Sequence, residues 1–117
     1  MYALKQHKNL SLEKWFSYPK EQQVLMIANE LNRAKNWIER QDHDHVNACY
    51  ERAMELTDLM SEDVRWQNLA LKELRRFREM LSKIYSDSVK DSGFNLTLYR
   101  LLLQMNPKAW NLLAGED

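Results

Sequence analysis

Two glycines, two prolines and a single cysteine are all that 117 residues contain of these types. Sheet proteins use glycine and proline in tight turns every few residues, so the scarcity predicts a few long helices. With Cys49 alone, an intramolecular disulfide and a cysteine-rich zinc site are excluded. Charge of one sign is missing too. Seventeen Lys and Arg balance seventeen Asp and Glu, which argues against wholesale non-specific attraction to nucleic acid. No apolar run approaches the roughly 20 residues needed to span a bilayer. The opening MYALKQHKNL lacks the continuous apolar core of a signal peptide. The expectation is a cytosolic protein with one helical domain over residues 1–117, long enough to bury its own core.

What is present is helical periodicity. Ser11 is placed to cap a short helix in LEKWFSY, and Pro19 suits the first turn of the next. Val24, Ile27, Ala28, Leu31, Ala34 and Ile38 recur at three and four and make one stripe up to about Arg40. After QDHD a second stripe runs through Val46, Cys49, Tyr50, Ala53, Leu56 and Met60. Ser61 is the expected cap of a third helix, with Trp66, Ala70, Leu74, Phe77, Leu81 and Ile84 on one face. SDSVKDSG is a polar loop, a fourth helix covers about 94–105, and Asn106-Pro107 starts a last turn closed by Gly115. The fold class expected is all-α: an antiparallel up-and-down four-helix bundle with short extra helical segments at both ends.

The stretch Asp42-His43-Asp44-His45 alternates carboxylate and imidazole. These groups, with Cys49 one turn beyond His45, are of the types that bind zinc or nickel. Cys49 sits in the apolar stripe, however, where a thiol packs as a small hydrophobe. The reading favoured is a capped turn in which Asp42 or Asp44 accepts hydrogen bonds from the free N–H groups of the following helix. No metal and no cofactor are expected.

Two resemblances attach to this hairpin. Arg40 and His45 have the spacing R-x4-H, which resembles the motif of HEPN-domain ribonucleases, small helical bundles that often dimerise. The resemblance implies a cation for phosphate and an imidazole for proton transfer, although here the pair straddles an interhelical loop. Residues 28–56, with Ala48 and the string YERAMEL (Tyr50, Arg52, Ala53, Leu56), look like a single tetratricopeptide-type hairpin. One hairpin is no repeat array, which needs several copies to bury a continuous core. That likeness implies a tightly packed helix pair and no particular ligand.

Charge is uneven along the chain. Residues 42–64 hold seven acids and one base, and residues 65–83 hold six bases and two acids. On one continuous helix Arg65, Lys72, Arg76 and Lys83 would form a basic ridge about 27 Å long, a candidate docking face for a protein or, less readily, nucleic acid. Asp44, Glu51, Glu55, Asp58 and Glu62 make an acidic stripe on the preceding helix. In FNLTLYRLLLQM the apolar residues cover more than half the helix, a surplus that a second subunit or the N-terminal segment would cover. Leu98, Leu102, Met105 and Trp110 are the expected contacts of a symmetric homodimer. Together these readings describe a small regulatory or protein-interaction module without catalytic activity. The alternatives are a HEPN-like ribonuclease or a nucleic-acid-binding bundle.

Overall fold

A computed structural model describes residues 10–66 and 69–114. Six α-helices carry the described chain: α1 (Leu12–Ser17), α2 (Lys20–Glu39), α3 (His43–Ser61), α4 (Leu69–Ser86), α5 (Ser92–Gln104) and α6 (Pro107–Ala114), with a 3-10 turn at Val64–Trp66. No strand occurs among the described residues. The all-helical expectation therefore holds.

Short polar side chains start α1, α3, α5 and α6. Ser11 Oγ accepts from the Lys14 N–H at 3.0 Å, Asp42 from His45 at 3.2 Å and Asp91 from Gly93 at 2.8 Å. Asn106 Oδ1 takes the Ala109 N–H at 2.8 Å, and Pro107 fills the first position of α6, where no donor is needed. Three local expectations need correction. Pro19 stands just outside α2 and not in its first turn. Ser61 does not begin a helix: α3 continues through it, and its hydroxyl donates back to the Asp58 carbonyl at 2.6 Å. Trp66 consequently lies in the 3-10 turn and not on α4. The reason is Asp63, whose backbone carbonyl takes the Trp66 N–H and whose carboxylate takes the Arg65 N–H, so the chain tightens there before α4 begins.

The apolar stripes converge as their periods require. Val24, Ile27, Leu31, Cys49, Tyr50, Leu56, Leu74, Leu81 and Ile84 are all buried in one core. Helix α2 packs on α3, α3 on α4, α4 on α5 and α5 back on α2, while α6 lies against α2 and α5. Residue numbers fall on one helix as they rise on the next. On α3 and α4, Asp58 meets Arg78, Met54 meets Ser82 and Glu51 meets Tyr85. On α2 and α3, Glu30 meets Arg52 and Trp37 meets His45, and Gln23 near the start of α2 meets Asp63 just past the end of α3.

Three polar networks sit inside this packing. The Tyr50 hydroxyl donates to Asn95 Oδ1 at 2.8 Å, and Asn95 Nδ2 donates to the Leu31 carbonyl at 3.0 Å, joining α3, α5 and α2. Burial pushes the Tyr50 phenol well above its ordinary range. Glu30, 5% exposed, receives Arg52 Nε at 2.8 Å and Arg33 Nη1 at 3.0 Å. Gln23, fully buried, gives Nε2–H bonds to the Trp15 carbonyl and to Asp63, and its Oε1 accepts from Trp66 Nε1 at 2.7 Å.

Candidate functional sites: the Arg40–His45 turn and the outer faces of α4 to α6

The DHDH stretch is a capped turn with more structure than a cap requires. Gln41 takes a left-handed backbone conformation, φ 58°. Its N–H bonds the Ile38 carbonyl, and the Asp42 N–H reaches the Trp37 carbonyl, the paired pattern that closes helices at a left-handed residue. Glycine is the usual residue there because it has no Cβ to clash. The reversal brings α3 back against the end of α2. The His45 ring stacks on Trp37 with centroids 4.1 Å apart and planes 20° apart. The Arg40 guanidinium lies 5.3 Å from the same indole.

Asp42 holds the imidazole from the other side, with Oδ2 2.8 Å from His45 Nδ1. A carboxylate only accepts, so Nδ1 is the donor in this bond. The backbone N–H of His45, foremost, and the His45 ring hold the Asp42 carboxyl below its usual range. Arg40 and His45 are thus brought to one indole, and like His43 and Asp44 both are exposed. His43 lines a cavity of about 500 Å³ with Ile38, Gln41, Val46 and the loop residues Ser88–Lys90. Lys90 is tied at 2.7 Å to each of the Ile84 and Tyr85 carbonyls, and burial lowers its pKa. No cluster of three or more metal-ligating side chains occurs among the described residues.

The expected basic ridge is broken. Because α4 begins only at Leu69, Arg65 falls in the 3-10 turn, where its Nη2 meets Asp63 Oδ2 at 2.6 Å and the Phe16 carbonyl at 3.1 Å. Burial alone would raise the Asp63 carboxyl. The Arg65 side chain, the Arg65 N–H and the Gln23 amide outweigh that and draw it down to about 2. Arg65 is therefore a structural partner. Lys72, Arg76 and Lys83 remain together on α4 and are exposed, with Arg75 beside them. Lys83 has a long contact of 3.9 Å with Asp87. The acidic stripe of α3 is met by a different residue, Arg78, at 2.8 Å from Asp58.

The expected interface residues also separate. Leu98 and Leu102 are fully buried within this chain, Met105 is half-buried and Trp110 is 40% exposed. The apolar surplus of α5 is covered largely from inside. Helix α6 turns back at Asn106-Pro107, buries Ala109, packs Leu113 on the core and ties Lys108 to Glu21 at 3.3 Å. Part of the expected N-terminal cover, residues 1–9, lies outside the described residues. What stays exposed is Leu96 at 44%, Trp110 at 40% and Leu112 at 48%.

A groove between α4 and α5, about 360 Å³, was not foreseen from sequence; Phe77, Met80, Leu101 and Met105 supply its apolar lining, with Glu73, Arg76 and Gln104 around it. Its signal is that Met80, Leu101 and Met105 stand off the core stripes of their helices. No family model matches the chain, and no curated protein and no solved structure matches it. The likenesses to a tetratricopeptide hairpin and to the HEPN motif rest on the residues already named.

Proposed function

We propose that the protein is a small cytosolic protein-interaction module without catalytic activity. Its fold is an antiparallel up-and-down four-helix bundle, α2 to α5, and it self-associates as a homodimer through α6. The ring of helix contacts and the falling and rising residue pairs support the bundle. One observation carries self-association: α6 buries Ala109 and leaves Trp110 and Leu112 exposed. Large side chains left in water forfeit about 1.5–3 kcal/mol each relative to full burial, and two copies of one patch cover each other about a two-fold axis. Tryptophan is the side chain that most often anchors such contacts. Sedimentation of the wild type and of Trp110→Glu and Leu112→Glu tests this. A dimer that each charged variant dissociates is expected, and wild type that stays monomeric up to high concentration removes the reading.

A second reading, HEPN-like RNA cleavage, is favoured by the Asp42–His45 bond and by Arg40 beside the same indole. An imidazole oriented by a carboxylate can take a proton, and a nearby guanidinium can stabilise a charged phosphate. Cleavage of RNA lost in Arg40→Ala and in His45→Ala would support it. Cleavage undiminished in either variant would exclude that residue.

A further inference from the structure

The groove between α4 and α5 is a different surface from the α6 patch, and its chemistry differs too. Its floor is aliphatic and thioether: Met80, Leu101 and Met105 are half-buried beside Phe77. Methionine side chains adapt to varied apolar shapes. Along the α4 side runs a cationic rim. At 100° per residue Lys72, Arg76 and Lys83 fall within a sector of about 40°, directly next to Met80. All three are exposed. From Lys72 to Lys83 the rim extends about 16 Å, three turns of a helix laid alongside. Toward its upper end Lys83 Nζ lies 5.8 Å from the Phe94 ring, so cation and apolar floor continue together. On the α5 side the neighbours of Leu101 are the neutral Thr97 and Gln104, with Arg100 beyond them. Glu73 is the single acid at the groove.

We propose that this groove docks an acidic amphipathic helix of another protein, with leucine-like side chains on the floor and carboxylates over Lys72, Arg76 and Lys83. An apolar helix face entering a groove between two helices is a recurrent mode of peptide recognition. The charge on the rim selects among such helices and steers their approach. Residues 1–9 of the chain itself carry Lys5 and Lys8 and no acid, so they do not complement this rim. Nucleic acid fits less well. The floor has aliphatic and thioether groups where bases would need exposed rings for stacking.

The probe is a synthetic helical peptide with leucines at i, i+3, i+4 and i+7 and glutamates along one flank. Its companion has the same composition in shuffled order, and both are titrated into the full chain by fluorescence anisotropy. Wild type should bind the ordered peptide, more weakly as salt rises, and the shuffled peptide about tenfold less tightly or worse. Lys72→Glu with Arg76→Glu alters only exposed positions and should cost about tenfold or more. Met80→Gln should weaken binding independently of salt, with thermal melting confirming the fold. Failure of wild type to bind the ordered peptide overturns the proposal. So does an RNA oligonucleotide that binds more tightly and responds to the rim variants but not to Met80→Gln. Dissociation of a dimer by Met80→Gln would assign the groove to a second copy instead. Sedimentation of the same variants keeps this result separate from self-association through α6.

Discussion

Asp63 is the acid most tightly committed to the fold, and replacing it by asparagine should be costly for a reason specific to its neighbours. The carboxylate is 4% exposed. It receives Arg65 on Oδ1 and Oδ2 and Gln23 Nε2 on Oδ2 at 3.1 Å. Gln23 cannot turn its amide round, because Oε1 holds Trp66 Nε1 and Nε2 also holds the Trp15 carbonyl. Every group facing Asp63 is therefore a donor. An asparagine amide would point its NH2 at one of them, whichever way it is flipped. Leaving a buried donor such as the Gln23 amide without its acceptor costs about 1–3 kcal/mol. The same bonds, expressed as a carboxyl brought from 3.8 to about 2, correspond to about 2.5 kcal/mol. The folded pKa is depressed, so this stability is fully present above about pH 4 and is lost as pH falls through about 2. Urea unfolding of wild type and Asp63→Asn across this range checks both parts. The variant should be less stable by about 2–4 kcal/mol at neutral pH, with the gap narrowing as pH approaches 2. A gap that is absent at neutral pH, or that stays constant on acidification, would refute the account of this network.

Gln41→Gly should raise stability by about 1 kcal/mol, because glycine relieves the left-handed conformation at the end of α2; a loss of stability in thermal melting would show that the turn carries no such strain. Tyr50→Phe should cost about 1–3 kcal/mol by stranding Asn95 Oδ1, and combining it with Asn95→Ala should cost less than the sum of the two changes. Additivity in that double-mutant cycle would mean the bond is not coupled. His45→Ala should uncover Trp37 and shift its emission to longer wavelength, whereas His43→Ala, on the cavity side of the turn, should leave emission unchanged.

The parts of the fold legible in the sequence are those governed by period and by local caps. The stripes on α2 and α3 are buried almost residue for residue, and Ser11, Asp42 and Asn106 cap where their side chains have N–H groups in reach. The failures arise where a distant partner decides. Ser61 reads as a helix start only until Asp63 is seen to be anchored by Gln23, forty positions earlier. That anchor tightens the chain at Arg65 and removes it from the basic ridge. Leu98 and Leu102 read as surplus because a helical wheel does not know that α6 turns back over α2 and α5. Asn95 is one of the few polar residues in FNLTLYRLLLQM, yet it is buried and joins three helices through Tyr50 and Leu31. Trp37 and Met26 stand off the core stripe for a similar reason: both are half-buried against the core, and Trp37 is capped by His45 and Arg40. At the candidate sites, the spacing of Arg40 and His45 was visible. Their meeting on Trp37 depends on the left-handed turn at Gln41, which no periodicity signals.

Self-association through α6 is tested most directly by isotope-edited NMR on an equal mixture of labelled and unlabelled chains at millimolar concentration. The account predicts contacts between the Trp110 indole of one copy and side chains of α6 or of Leu96 in the other, absent from Trp110→Glu. A Trp110 indole that shows contacts only within its own chain, in a sample whose rotational diffusion is that of a monomer, would contradict it.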